Sequence, residues 1–166
     1  MNEITMNKEL KEFLAMDLAD RVQAALDRIQ SFHGLQYSEM GYELLDCGKD
    51  DAYYPFVEYL YVAKPSHRNN YEGVYGGMIC GVFDTCMGMS ATAVSGQMVT
   101  TSDLTVNFLR AAMGTNFRIR IEFTHIGGRN INSIGKMIDR DTGELIATAV
   151  STFAVLRERP VSVAMD

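Results

Sequence analysis

The sequence predicts an α+β protein in which a curved antiparallel sheet wraps one apolar helix, with an extra helix at the N-terminus. Three observations carry that prediction. Residues 76–91 read as a helix that is apolar on every side, and such a helix needs a protein interior rather than a wet face. The segments on either side of it alternate or run apolar as strands do, joined by short turns that favour antiparallel pairing. With a single such helix in 166 residues, the sheet must curl around it to keep it dry.

Each element has its own warrant. From Asn7 to Phe32 the positions Leu10, Phe13, Leu14, Leu18, Val22, Ala25, Leu26, Ile29 and Phe32 recur at three and four residues, which predicts one helix ending near Gly34. Its polar side, with Lys8, Glu12, Asp20 and Asp27, reads as solvated. Gly41 to Cys47 and the aromatic-rich Tyr53 to Ala63 read as two strands around a Gly48-Lys49-Asp50-Asp51 turn. A polar connection from Ser66 to Tyr75 leads into the apolar helix. Beyond it, Leu104, Val106 and Phe108 alternate with Asp103, Thr105 and Asn107, while Phe117, Ile119, Ile121 and Phe123 alternate with Arg118, Arg120, Glu122 and Thr124. Asn130 to Asp139 follows the Gly127-Gly128 turn, and a hairpin through Asp141 and Gly143 enters Glu144 to Leu156. That last strand is apolar on both faces for much of its length, as a central strand would be. Residues 1–40 form an appended helical segment and residues 41–166 the main domain, with no repeat or linker to suggest another.

Composition narrows the function. A net charge of −6 and a pI near 5.0 speak against a nucleic-acid partner, which selects a basic face. Cys47, Cys80 and Cys86 are odd in number and lack C-x-x-C spacing, so they read as reduced thiols in a cytoplasmic setting, and neither they nor His33, His67 and His125 show metal-ligand spacing. No secretory signal is visible in the first residues, and the longest apolar run, broken by Asp84 and glycines, falls short of a membrane span.

Asp84 is the residue that most needs explaining, because a carboxylate inside an apolar helix costs several kcal/mol, to order of magnitude, unless it is paired or used. It is either an acid-base or nucleophilic group, or a carboxylate bonded to a neighbouring hydroxyl or backbone group. Gly76 and Gly77 open the same helix, where bare N–H groups at the positive helix end can hold an oxyanion, or simply make a tight turn.

Asn69, Gly73, Tyr75-Gly76-Gly77, Asp84 nine residues after Tyr75, Val99-Thr100-Thr101, Val106 to Arg110 and Thr142 to Ala147 together resemble the hot-dog-fold acyl-CoA thioesterases. The resemblance is to the PaaI-type phenylacetyl-CoA thioesterase branch of the 4-hydroxybenzoyl-CoA thioesterase-like superfamily, and it spans roughly Val57 to Leu156. It implies a homodimer, often paired into a tetramer, with an acyl-CoA tunnel at the subunit interface and no cofactor. It implies Asp84 as base or nucleophile and Gly76 and Gly77 as oxyanion donors. Asn69 would orient water or the carbonyl, and Thr101 would offer a hydroxyl to Asp84 or the water across the interface. Asn69 as a turn residue, Thr101 as a strand hydroxyl, and Ser102 in place of Thr101 stay open. The family usually has His-Gly-Gly, and Tyr75 replaces that histidine as a positioning or substrate-wall residue, since a phenol is a poor base at neutral pH. His67 is the reserve acid-base group, His33 reads as a helix cap and His125 as a strand-end or rim residue. Arg110 and Arg129, the latter beside Gly128, would meet the coenzyme A phosphates or stand as solvated arginines. Eleven methionines suit a pocket that adapts to an acyl chain. The alternatives are a non-catalytic acyl-CoA-binding module and a hot-dog dehydratase or hydratase.

Overall fold

A computed structural model describes residues 8–32 and 39–160; the expected cap His33 and stop Gly34 lie outside them. The helices are α1 (Lys8–Ala15), α2 (Leu18–Ser31) and α3 (Gly76–Ser95), and the strands are β1 (Tyr42–Gly48), β2 (Phe56–Val62), β3 (Gln97–Phe108), β4 (Asn116–Ile126), β5 (Asn130–Asp139) and β6 (Leu145–Pro160). The six strands form one antiparallel sheet in the order β1-β2-β4-β5-β6-β3, wrapped around α3. This is the hot-dog fold, carrying extra N-terminal helices.

The alternation in β4 and β5 sets the inner face of the sheet. Phe117, Ile119 and Ile121 are fully buried, as are Ile131 and Met137, while Arg118, Arg120, Glu122 and Lys136 point to the other side. The helix comes close because Gly135 leaves a slot: a β-carbon there would stand 2.7 Å from Phe83 Cδ1. Phe83 is fully buried in it, and burying one such ring is worth roughly 1.5–3 kcal/mol. The few polar groups inside are bonded: Tyr59 Oη lies 2.9 Å from Ser90 Oγ, and Ser133 Oγ lies 2.9 Å from Ser151 Oγ. By length and composition α3 meets the requirement for a membrane span, contrary to the reading from its interrupted apolar run. Its apolarity is met here by the sheet that surrounds it.

Four expectations are corrected. The N-terminal helix is two helices, broken at Met16 and Asp17, where Asp17 takes an extended conformation (φ −61°, ψ 154°) as N-cap of α2. The apolar stripe runs on across the break, so periodicity alone does not register it. Tyr53 and Tyr54 precede β2 rather than belonging to it, with Tyr53 81% exposed. Phe108 ends the alternation of β3 exposed, and its ring lies against the start of α3, 3.5 Å from where a β-carbon of Gly76 would stand. Finally, β6 is one strand from the edge, and only its inner residues Ala147, Ala149, Ser151 and Phe153 are buried while Val150 is exposed.

Candidate active site

Asp84 sits at the middle of α3, half-buried, on the side that faces β3. Thr101 of β3 donates its hydroxyl hydrogen to Asp84 Oδ1 at 2.6 Å, the short length expected of a hydroxyl bonded to a carboxylate. The bond joins residues of one chain, whereas the family resemblance implied a contact across an interface. Thr101 reaches it beside a β-bulge: Thr101 pairs with Phe153 and Asp103 with Thr152, leaving Ser102 as the extra residue. The bulge answers the Thr101/Ser102 ambiguity, because Thr101 and not Ser102 bonds Asp84.

A cavity of about 360 Å³ opens beside this pair. Thr85, Gly88, Met89 and Thr92 of α3 form one wall, Met98 and Val99 of β3 a second, and Phe153 lies between them. The third wall is α2, through Ala25, Arg28, Ile29 and Phe32. Burial lowers the Arg28 pKa from its usual 12.5. Sequence reasoning treated the N-terminal segment as an appendage and missed these four residues. The signal was present in the doubled apolar stripe Val22, Ala25, Leu26 and Ile29, wide enough for one row to enter the core and another to line a space.

The other end of α3 gathers a second group. Gly76 and Gly77 occupy its first turn, whose N–H groups have no carbonyl of the same helix to bond. Tyr75, the N-cap, is 59% exposed, and its ring folds over Gly77, where a β-carbon would meet it at 2.4 Å. A cleft of about 390 Å³ beside Gly76 is lined by Ile79, Phe108, Leu109 and Arg110 among others. Arg110 donates to the Leu145 carbonyl at 2.9 Å and lies 3.5 Å from Glu144. Asn69 is exposed on the loop leading here, and its Oδ1 accepts the Tyr71 N–H at 2.9 Å, the bond of an Asx-turn. Gly128 and Arg129 form the β4–β5 turn and line neither cavity; the Arg129 carbonyl accepts the Val155 N–H at 2.8 Å. His125 is exposed at the end of β4.

His67 stands apart from both groups. It is 7% exposed, with its Nδ1 2.7 Å from Tyr61 Oη and 3.2 Å from the Lys64 N–H. A backbone N–H only donates, so Nδ1 accepts, the Tyr61 hydroxyl donates as well, and the ring proton is assigned to Nε2. Burial, and then Lys64, lower its pKa below the usual 6.5. Among the described residues no group of three His, Cys, Asp or Glu side chains is placed to hold a metal ion, and Cys47, Cys80 and Cys86 are free.

Spacing along α3 constrains what the two groups can do together. Asp84 lies seven residues after Gly77, about 10 Å along the helix axis at roughly 1.5 Å per residue. A reacting carbonyl needs its attacking group and its oxyanion donors within about 3 Å. Asp84 and the Gly76-Gly77 amides of one protomer therefore serve different sites.

Comparison with known proteins agrees with the architecture. Residues 71–146 match the thioesterase superfamily. The PaaI protein of the E. coli phenylacetic acid degradation operon superposes with a TM-score of 0.69 at 12% identity, over 84% of this chain and 96% of that one. A phenylacetic acid degradation-related protein of Ralstonia eutropha is 26% identical over 79% of this chain and 99% of its own, with a TM-score of 0.64. A thioesterase-type protein of Streptococcus pneumoniae, solved with coenzyme A, is 19% identical over 71% of this chain and 90% of its own, with a TM-score of 0.62. No curated protein matches the chain. With the superfamily's match running from the loop before α3 into β6, on a complete hot-dog sheet, the chain belongs to the hot-dog thioesterase superfamily, in its PaaI-like branch.

Proposed function

We propose that this protein hydrolyses an acyl-CoA thioester to a free acid and coenzyme A. The observation that carries the reading is the Asp84 carboxylate, fixed by Thr101 at 2.6 Å beside a largely apolar cavity. Because Thr101 occupies Oδ1, the other oxygen is available to take a proton from water as the water attacks the thioester carbon. Negative charge then builds on the carbonyl oxygen, the C–S bond breaks, and the departing thiolate takes up a proton. In the alternative route the carboxylate itself attacks, and water opens the resulting anhydride; oxygen-isotope incorporation in a single turnover separates the two.

Oxyanion donors are required within reach of the same carbonyl, and the Gly76 and Gly77 amides suit the task chemically but lie too far along their own helix. The site is therefore completed by Gly76 and Gly77 of the partner subunit. The twelve-residue edge strand β3 supports such a dimer: its outer side has no strand paired to it among the described residues, and Thr100 to Asp103 are exposed. Tyr75 and Phe108 would wall the entrance, Asn69 would shape the loop leading to it, and Arg110 would meet a coenzyme A phosphate, with Arg129 and Gly128 a second phosphate contact. The bound coenzyme A in the streptococcal relative supports that ligand class.

The test is thiol release from short, medium, long and aromatic acyl-CoAs by the wild type and Asp84→Asn, with circular dichroism to check folding. The expected loss is about 10²–10⁴-fold in kcat. Equal rates remove Asp84 from the mechanism. No release by the wild type on any thioester favours a binding module.

A further inference from the structure

Most of the wall opposite Asp84 comes from a segment that the superfamily match, residues 71–146, does not include. We propose that α1 and α2 gauge the length of the acyl chain, and that the cavity takes an unbranched chain of medium length, up to about ten carbons by the rise of the two backbones. This rests on the acyl-thioester reading above.

The direction of the channel follows from how α2 lies on α3. Near the start of α2, Arg21 Nη1 donates to the Ala93 carbonyl at 3.1 Å, at the far end of α3. Near its end, Gln30 Nε2 donates to the Tyr42 carbonyl at 3.0 Å, and the Tyr42 side chain adjoins Thr85 and Cys86. The two helices are antiparallel. Phe32 thus stands beside Asp84 and Ala25 beside Thr92, so the space between them runs from the carboxylate toward the C-terminus of α3.

The floor of that space is made by one omission. Asp84, Gly88 and Thr92 follow one another at intervals of four residues and share a face of α3, and Gly88 in the middle has no side chain to fill the groove. The far end is closed. Beyond Thr92 the helix ends at Gly96, where a β-carbon would stand 2.5 Å from Leu10 and 3.2 Å from Leu14 of α1. From Asp84 to Thr92 the helix rises about 12 Å. An extended chain advances about 1.2 Å per bond, taken from three backbone bonds per 3.6 Å, so about ten bonds fit before α1 and Ala25 block the way.

The gauge is read by binding as well as by turnover, so that it stands or falls apart from the chemistry. S-alkyl-CoA thioethers, which cannot be hydrolysed, are titrated from two to sixteen carbons. Affinity is expected to rise about threefold to fourfold per methylene and to break near ten carbons. Ala25→Leu, which fills the closed end, moves the break about two or three carbons shorter. Ile29→Ala opens the wall and moves it the other way, and it serves as the independent variant if Ala25→Leu does not fold. The same breaks appear in kcat/KM where hydrolysis is observed. Affinity that climbs unbroken to sixteen carbons, or a break that neither variant moves, overturns the gauge and leaves hydrolysis untouched. A break that moves as described, with no thiol release from any acyl-CoA, upholds the gauge and overturns the hydrolase reading.

Discussion

His67 illustrates how a residue suited to catalysis can be taken by the scaffold. Its Nδ1 lone pair is held by Tyr61 and the Lys64 N–H, and its ring stacks on Tyr61 at 5.7 Å between centroids. Its carbonyl accepts the Tyr75 N–H at 2.9 Å, tying this neutral imidazole to the residue that caps α3. Because burial lowers its pKa in the folded state, the unfolded chain binds a proton more readily. The His67 contribution is therefore complete above the ordinary value of 6.5 and is lost as pH falls below it toward the folded-state value. His67→Asn keeps an acceptor without a titrating group. Its melting temperature, lower than wild type at pH 7.5, should approach wild type by pH 5.5; melting curves that stay parallel across that range would refute the assignment. The sequence suggested His67 as a stand-in for the family histidine because proximity along the chain shows nothing of which way a side chain turns. Asn69 was equally ambiguous, and the Asx-turn bond shows how its Oδ1 is used.

At the scale of elements, α3 was the most legible part of the molecule. Its apolar run, its glycine start and its one carboxylate all mark a buried helix with a site on it. Its ending depends on a contact that no local pattern discloses. Gly96 adopts the left-handed conformation at φ 66°, and Leu10 of α1 packs where its β-carbon would be. Gly96→Ala should therefore cost about 1–2 kcal/mol from backbone strain alone, and more from the collision. Denaturant unfolding of Gly96→Ala, Leu10→Ala and the double variant separates the two. Removing Leu10 should relieve the collision but leave the strain, so the double variant is more stable than the sum of the single losses predicts. Strict additivity would mean that α1 does not lean on the end of α3. The break between α1 and α2 was also written locally, in Asp17 followed by Asp20, but a continuous apolar stripe concealed it.

For the molecule as a whole, the alternation in β4 and the turn residues around β5 and β6 were enough to expect an antiparallel sheet around a helix. Strand order was not legible from periodicity, because β3 pairs with β6 across the whole β4–β5 hairpin, a choice made by long-range packing. That order leaves β3 as an open edge next to Asp84 and Thr101, which is why a second copy is expected to complete the site. A mixing experiment tests the arrangement directly. Gly76→Pro deletes one amide donor with little strain: proline suits the first helical position, Tyr75 before it is already extended at ψ 136°, and the nearest side-chain atom is Phe108 Cζ at 3.5 Å. It should lose about 10²–10³-fold in kcat, and Asp84→Asn is expected to be similarly inactive. When the two variants are co-refolded in equal amounts, half the dimers are mixed. Each mixed dimer has one site carrying both lesions and one carrying neither, so activity should recover to about a quarter of wild type. If Asp84 and Gly76 served one site within a single chain, every site would keep a lesion and no activity would return.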